Sequence, residues 1–595
     1  MSAVPEISWL FRRIPALDSL RRYTLADARA DTVAGLSVAA VAVPQAMAYA
    51  MIAGLPVEYG LYTAIFMTAI GAVLDSSRQL INGPTNAISI ALLSAIGAIE
   101  APDERLQAAF VMAFLIGVVQ LAISLLRMGD LTRYISHSVI VGFTAGASLL
   151  LVLDQMKNLL GLQAVGDVHD HFLVRFFRTL TEGGSVHGPT LAVGVAAVGL
   201  VLAFRWIKGR LGWVLFPELL VVVSLLAWVT AAFQLDQQGI RVIGEIPARL
   251  PGFQVPHLEA GLVRELSGSA LAIGLLGLLE AIAMAKSIAA VTRQKIDLNQ
   301  QCLSEGLANL GGSFFQCMPG SGSLTRSAIN QQAGARTQWS GVVSAIAVAA
   351  IMLLLAPYAR FIPRAALAGI LMLTATRMVN LHDLRYHLKA SRFDAVIVLT
   401  TAVSAFAISI EFCVLIGTFL SFLLAVPRTG NMLLTEFVVT PDGGIHERLP
   451  GDHVCGRVLI FGLEGEMFFG SSVALDAHLE EIEARVGPET EVVVLRLKRA
   501  RNPDAVGIAH LEGTVHRLQA RGVRVVLCGV RPEFLAVMDG CGLAATLDPE
   551  QVFLEQPVRQ TSTLLAIRHA YARVQHPCEG CPRLATTSTE LHYHV

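Results

Sequence analysis

The stretch PGSGSLTRSAINQQAGA, Pro319 to Ala335, is a polar interruption in a region of the chain that is otherwise compatible with lipid. The glycines of its PGSG turn carry no side chain, so the backbone turns freely before Ser323. Ser323, Leu324 and Thr325 then open a predicted helix, with Ser323 in a position suited to capping. The stretch therefore predicts a helix N-terminus at membrane depth.

Arg326 falls in the first turn of that predicted helix. The helix dipole and the free N–H groups already make this end positive, so an added cation favours anion binding. The alternative is that Arg326 lies at the membrane surface and reaches lipid phosphates. This stretch alone leaves both interpretations open.

The whole composition indicates a polytopic membrane protein. Of 595 residues, 54% are hydrophobic and only 15% are charged, and the mean hydropathy is +0.59. The net charge of -1 and the lack of a basic stripe argue against a nucleic-acid partner. The first 30 residues lack the apolar core of a signal peptide, so we expect a cytoplasmic, uncleaved N-terminus.

The first predicted span starts after Asp31 and contains Pro44, which we expect to interrupt it. Gln45 and Tyr49 follow four residues apart, so both can face the same side of a helix. We interpret them as candidate substrate-binding residues. A kinked helix with packed polar side chains is the alternative.

The motif GPTN predicts a second helix start within apolar sequence. Gly83 frees the turn, Pro84 suits the first turn of a helix, and Thr85 and Asn86 mark the start. About 16 residues separate Pro84 from Glu100, whereas a full crossing needs roughly 20. We therefore predict a half-helix that begins near the midplane, the alternative being a short interfacial or tilted helix.

In total the chain predicts 14 membrane segments. Besides the three starts above, apolar spans lie near 58–75, 107–126, 136–154, 189–204, 213–233, 267–290, 302–317, 340–357, 362–376, 393–409 and 411–426. Lys and Arg occur in every predicted inner loop, although Arg360 and Arg364 fall in a predicted outer turn. This bias and the even count predict that both termini are cytoplasmic.

Two pairs of motifs suggest an internal repeat. QAMAYA from Gln45 aligns with EAIAMA from Glu280, 235 positions later, and GPTN aligns with SLTR at an offset of 240. The matched elements are seven segments apart, and an odd number inverts the second copy. An inverted repeat places a substrate site where the paired broken helices meet.

Glu280 is a carboxyl group within a predicted span, where burial is costly. We interpret it as the candidate coupling residue for a proton or sodium ion, and a structural salt bridge with Arg326 is the alternative. Glu305 lies in the next predicted span, near its cytoplasmic end. There we expect its carboxylate to reach water and to have no special role.

After Arg428 the composition changes. From Arg457 to about residue 540, three short apolar strands alternate with three helical stretches, which predicts a small α/β domain. We assign 1–30 as a cytoplasmic N-terminal segment, 31–428 as the transport domain, 437–574 as the α/β domain and 575–595 as a disordered tail. The tail holds Cys578 and Cys581 with His592 and His594 downstream. One CxxC pair is weak evidence for zinc, so no metal site is predicted.

These motifs resemble the sulfate permease (SulP) family. The residues that carry the resemblance are Asp31 to Ala50, Gly83 to Ile90, Glu280 to Ala289, Asp297 to Phe315 and Gly322 to Thr337. The resemblance implies two inverted repeats of seven segments, arranged as a core and a gate domain, and a homodimer. It also implies a pocket between the starts of the third and tenth segments, with Gln45, Tyr49, Thr85, Glu280, Thr325 and Arg326 at matching positions.

The C-terminal part resembles the STAS domain of the same family. Related domains carry serines directly after an aspartate, whereas Ala505 and Val506 follow Asp504 here. Phosphorylation at that loop is therefore not expected. A cytoplasmic protein partner of the STAS domain is implied by the resemblance.

The resemblance implies a secondary transporter in the plasma (inner) membrane for a small anion: sulfate, bicarbonate or a dicarboxylate. The predicted substrate-binding residues are Gln45, Tyr49, Thr85, Asn86, Ser323, Thr325 and Arg326, with Glu280 for coupling. No cofactor is expected beyond a coupling proton or sodium ion, and no nucleophile and base suggest an enzyme. The alternative is a membrane-anchored sensor or scaffold that acts through its STAS domain.

Overall fold

In a computed structural model the chain forms two compact units, Met1–Ser421 and Phe422–Val595. The structure describes residues 14–21, 23–129, 136–166, 172–211, 216–408, 410–440, 443–558, 561–574 and 592–593. The predicted tail motif at Cys578 and Cys581 lies outside the described residues.

The first unit contains the same order of elements twice, after a short helix α1 (Pro15–Leu20). The first copy comprises α2 (Leu25–Ile52), α3 (Val57–Leu74), β1 (Asn82–Gly83), α4 (Asn86–Ile96), α5 (Pro102–Leu125), α6 (His137–Leu160), α7 (Phe172–Glu182), α8 (Gly188–Leu211) and α9 (Glu218–Ala232). The second comprises α10 (Ala260–Thr292), α11 (Leu298–Ser313), β2 (Ser321–Gly322), α12 (Leu324–Gln332), α13 (Trp339–Ala359), α14 (Arg364–Met378), α15 (Leu381–Ala390), α16 (Arg392–Ala407) and α17 (Ile410–Thr429).

Helix packing relates the two copies by an approximate twofold axis. Helix α2 packs on α13, and its counterpart α10 packs on α5; α3 packs on α13, and its counterpart α11 packs on α5. Outside this group, α6 packs on α16 just as α14 packs on α8. Helices α2–α5 and α10–α13 thus form a core, and α6–α9 with α14–α17 form a gate. The predicted fold of two inverted repeats is confirmed.

Length and hydropathy alone recover only part of this fold. Among the described residues, eight helices are long and apolar enough to cross a membrane, and three shorter ones are apolar. Helix α11 belongs to neither group because it carries buried polar residues along its length. The short helices α7 and α15 occupy matching places in the two copies and were not predicted.

Helix α2 starts earlier than predicted and is not interrupted. The side chain of Thr24 accepts a hydrogen bond from the Asp27 backbone, and Asp27 bonds back to Thr24, which forms a capping box. The helix therefore begins at Leu25. It also runs through Pro44 as far as Ile52, so the predicted interruption at Pro44 is wrong.

Asp31, inside α2, fastens this helix to the loop after α12. Its fully buried carboxylate accepts hydrogen bonds from the backbone N–H groups of Arg336 (2.8 Å) and Thr337 (3.1 Å). The hydroxyls of Thr337 and Tyr23 also donate to it. These four donors stabilise the buried carboxylate. Asp31 thus joins the first helix of one repeat to the half-helix region of the other.

The second unit is an α/β domain. Its elements are β3 (Leu433–Val439), β4 (Gly444–Glu447), β5 (Val458–Glu466), α18 (Ser472–Arg485), β6 (Val492–Arg501), α19 (Ala505–Ala520), β7 (Arg524–Val530), α20 (Pro532–Cys541), β8 (Val552–Leu554), α21 (Thr561–Ala572) and β9 (His592–Tyr593). The strands form one seven-stranded sheet in the order β8-β7-β6-β5-β3-β4-β9. Strands β5 to β8 are parallel. Separate apolar clusters cover the two faces of the sheet, one including Leu479 and Leu511 and the other Ile567.

The predicted strands and helices from β5 to α20 match those observed. Strands β3, β4 and β8 and helix α21 were not predicted. In the region assigned as a tail, His592–Tyr593 pairs in parallel with β4.

Candidate functional site

The two broken-helix motifs meet at a short antiparallel ladder. Asn82 of β1 pairs with Gly322 of β2, and Gly83 pairs with Ser321. The Ser323 backbone N–H also donates to the Ile81 carbonyl at 2.8 Å. The ladder thus brings the starts of α4 and α12 together, although they are more than 230 positions apart in sequence.

Both helices start with a capping hydroxyl and are short. Thr85 accepts a hydrogen bond from the Ile88 backbone (3.4 Å), and Ser323 accepts one from the Arg326 backbone (3.4 Å). Helix α4 has 11 residues and α12 has nine, whereas a crossing needs roughly 20. Both helices are thus too short to cross a membrane, as predicted, but Pro84 precedes the cap rather than lying in the first turn.

The cap positions correct the alignment of the two motifs. Thr85 and Ser323 are 238 positions apart, so GPTN and SLTR are displaced by two residues in the predicted match. Thr85 therefore corresponds to Ser323, not to Thr325. Arg326, the third residue of α12, corresponds to Ile88 and not to Asn86. The cation is consequently present in only one of the two repeats.

Arg326 is 1% exposed and is the largest fully buried side chain of the described chain. Its Nη2 donates to the Pro84 carbonyl at 2.8 Å, whereas its Nε is buried with no hydrogen-bond partner. It forms no ion pair with any residue that the structure describes. A buried charge without such compensation is costly unless a ligand supplies it. This observation excludes the surface-snorkelling alternative.

Gly83 makes room for the guanidinium. Its φ is +140°, and a Cβ at this position would lie 2.8 Å from Arg326 Nη1 and 3.1 Å from Nη2. Sequence reasoning identified Gly83 only as a turn residue and missed the Pro84 carbonyl as a partner. In the local sequence, only the adjacent Gly83 and Pro84 could have indicated this contact.

Glu280 lies on α10 and is only partly shielded from solvent. Its Oε2 accepts a hydrogen bond from the Thr85 hydroxyl at 2.9 Å. Among the described residues it forms no salt bridge with Arg326, so the predicted alternative of a structural pair is wrong. The carboxylate instead accepts from Thr85, the guanidinium donates to the Pro84 carbonyl, and the two charges act on each other electrostatically.

The other predicted residues occupy distinct places around these helix starts. Gln45 is 2% exposed, and neither polar atom of its amide has a partner. Tyr49, one turn further along α2, is buried and interacts electrostatically with Arg326. Asn86 donates to Met378 Sδ at 3.3 Å, while its Oδ1 has no partner. Thr325 is partly exposed and has no side-chain hydrogen bond within the described chain.

Met378 belongs to the gate, so the contact from Asn86 crosses from core to gate. Sequence reasoning missed it because methionine carries no binding signal. A separate cavity of about 520 Å³ between α2 and α9 has apolar walls that include Pro44, Met47 and Trp228. The described residues of its lining include no charged group and not Arg326, so this cavity is not our candidate anion site.

Glu305 does not behave as expected. It lies in the middle of α11 and is fully buried rather than reaching water near a helix end. The helix starts at Leu298, four residues before the predicted span, which moves Glu305 away from its end.

Sequence profiles identify both units. The profile of the sulfate permease family matches residues 29–401, and that of the STAS domain matches residues 452–556. The chain is 26% identical to "Sulfate transporter 4.1, chloroplastic" of Arabidopsis thaliana, over 92% of this chain and 82% of that protein. It is 28% identical to "Putative sulfate transporter YvdB" of Bacillus subtilis, over 89% of this chain and 97% of that protein.

Solved structures share the fold. A structure of murine Slc26a9, described as an anion transporter in the inward-facing state, has a TM-score of 0.85 at 20% identity and covers 96% of both chains. The transmembrane domain of the cyanobacterial bicarbonate transporter BicA has a TM-score of 0.57 at 25% identity. It covers 67% of this chain and 98% of its own.

Proposed function

The chain belongs to the sulfate permease family, and on this premise we propose that it is a secondary transporter that binds a small anion between the starts of α4 and α12. The buried guanidinium of Arg326 carries this proposal, because among the described residues its Nε has no hydrogen-bond partner and no carboxylate forms an ion pair with it. The N-terminal ends of two half-helices add positive potential at the same place. We assign to the same anion site the polar side chains of Gln45, Tyr49, Thr85, Asn86, Ser323 and Thr325, because α2 packs on both half-helices.

Sulfate is the substrate that we propose first, with bicarbonate and dicarboxylates as alternatives. Relatives that match most of the chain are named as sulfate transporters, and a structure with the same transmembrane fold is named as a bicarbonate transporter. Uptake of radiolabelled sulfate by proteoliposomes tests the choice, with unlabelled bicarbonate and succinate as competitors. A sensor or scaffold would show no uptake of any of these anions. We propose no enzymatic activity.

We propose that Glu280 couples anion uptake to a proton or sodium ion. The Glu280 carboxylate accepts a hydrogen bond from Thr85, the cap of α4. A change in the charge of Glu280 therefore alters the electrostatics of the proposed anion site. We expect Glu280→Gln to retain sulfate binding and to lose its response to imposed proton or sodium gradients. Sulfate uptake with and without each gradient measures this directly.

Glu265→Gln is the matched control, since Glu265 lies on the same helix with an exposed side chain. It should retain the full gradient response. If Glu280→Gln responded to gradients like the unmodified protein, Glu280 would be reduced to a hydrogen-bond partner of Thr85.

We further propose a plasma-membrane location with both termini cytoplasmic, assembly as a homodimer, and a cytoplasmic protein partner at the STAS domain. The loop charges support the orientation. The family membership supports the dimer and the partner.

The anion site is built entirely from the first unit, so truncation should separate the roles of the two units. A chain that ends at Thr429, the last residue of α17, should bind sulfate with unchanged affinity while its uptake rate or assembly changes. Binding to the purified, folded truncated protein measures the affinity. Complete loss of sulfate affinity in a folded truncated protein would contradict this separation.

A further inference from the structure

Two buried carboxyl groups lie together behind the anion site, at the far end of β1. Asp75 follows the last residue of α3 and is fully buried. Its Oδ1 accepts hydrogen bonds from Gln301 Nε2 (2.7 Å) and Ser304 Oγ (2.6 Å), and Asn82 Nδ2 lies 3.2 Å from the same oxygen. Three side chains from two other elements therefore converge on this carboxyl group.

Glu305 is the second carboxyl group, one residue beyond Ser304 on α11. It is fully buried, and neither of its oxygens has a hydrogen-bond partner. The amide of Gln301 is close enough to act on Glu305, but its Nε2 donates to Asp75. Asn82, also fully buried, has an unpartnered Oδ1 on the amide that faces Asp75. The cluster thus contains acceptors in excess of donors.

The surroundings supply no compensating charge. Among the described residues, neither Asp75 nor Glu305 forms an ion pair. The groups that act on Glu305 are the carboxyls of Asp75 and of Glu280 on α10, and its own helix contributes the Cys302 thiol. From α5 the neutral amide of Gln120 accepts a hydrogen bond from Asn309, one turn beyond Glu305 on α11. Two adjacent carboxylates buried without a cation cannot both stay ionised.

We propose that Asp75 and Glu305 form a proton-binding site, and that its proton is taken up and released with the transported anion. A carboxyl group that holds the proton becomes a hydrogen-bond donor. Such a donor is what the unpartnered oxygens of Glu305 and Asn82 lack. The proton forms an O–H bond on one carboxyl and is shared by hydrogen bonding with its neighbour. This proposal rests on the proposed anion transport. It adds a proton-binding site to the coupling site proposed at Glu280.

A short covalent path joins the proton site to the anion site. Asn82, which contacts Asp75, is in β1 and pairs with Gly322 of β2. Two residues further along the chain, the Pro84 carbonyl accepts from Arg326. Losing the proton adds negative charge beside β1 and changes the hydrogen bonds of Asn82. We therefore expect the two sites to influence each other through β1.

Glu305→Gln tests the proposal, because it keeps the shape of the side chain but cannot carry the proton. We expect the sulfate affinity of unmodified full-length protein to change about tenfold between low and high pH, a size usual for coupled sites. In Glu305→Gln this change should be at least halved, and a proton gradient should stimulate uptake less. Glu265→Gln, on the surface, should match the unmodified protein. An unchanged pH response in Glu305→Gln would overturn the proposal.

Apparent Tm measured against pH tests the site without any transport. Ionising both groups creates repulsion, so raising the pH should lower Tm more in the unmodified protein than in Glu305→Gln, by about 1–3 °C per pH unit. Parallel curves would overturn the proposal, as would a stabilisation by sodium that only the unmodified protein shows. If sulfate uptake were absent altogether, the proposed function would fail while the Tm curves still decided the proton site. Glu305→Leu replaces Glu305→Gln if the latter does not fold.

Discussion

Replacing Arg326 by alanine is expected to weaken sulfate binding about hundredfold, or about 2.7 kcal/mol. Among the described residues, the guanidinium of Arg326 is the cation that we place at the helix starts, and it is 1% exposed. Charge-assisted hydrogen bonds to a buried anion are strong for this reason. Equilibrium binding of labelled sulfate to the purified protein measures the loss.

Arg336→Ala is the matched control for this experiment. Arg336 follows the same half-helix, but its side chain is 57% exposed and pairs with Asp27 at 3.0 Å. An exposed pair of this kind contributes at most about 1 kcal/mol, and not to the anion. Sulfate affinity should therefore stay within about twofold of the unmodified protein. Equal losses in the two variants would contradict the placement of the anion at the start of α12.

Gly83→Ala should reduce sulfate affinity by about tenfold or more without removing any charge. The added Cβ would lie 2.8 Å from Arg326 Nη1, so the guanidinium must move from its place beside the Pro84 carbonyl. The substitution also strains the backbone, since φ at this residue is +140°.

Gly334→Ala separates these two effects. Gly334 also has a positive φ, +90°, but a Cβ there would meet no atom within 4 Å. It should lower stability as an alanine at positive φ does, by about 1 kcal/mol, and leave sulfate affinity unchanged. If both variants lost affinity equally, backbone strain rather than displacement of Arg326 would explain the result. Parallel measurements of Tm and sulfate binding compare them.

The half-helices were predictable because their signals are local. A capping hydroxyl, a preceding glycine and an unusually short apolar stretch all lie within a few residues of Thr85 and Ser323. The same reasoning placed Arg326 correctly in the first turn. The start of α2 was missed because its capping box at Thr24 lies in polar sequence, where hydropathy gives no sign of a helix.

The relations between distant residues were not predictable. The contact of Arg326 with the Pro84 carbonyl joins positions 242 residues apart, and no pattern within either motif specifies it. The cluster around Asp75 likewise depends on how α3 packs against α11. The exposure predicted for Glu305 was wrong for a related reason. Its burial follows from the observed start of α11, and the boundaries of polar helices are hard to predict from sequence.

The ladder between β1 and β2 also bears on the entropy of binding. Because the two half-helices start from paired strands, their separation is fixed before any anion arrives, and little backbone ordering remains for the binding step. A gap of fixed width can distinguish anions by size as well as by charge. For an anion bound at the proposed site, we therefore expect the two helix starts to move as a single body and access to alternate by displacement of the core against the gate, where Asn86 contacts Met378.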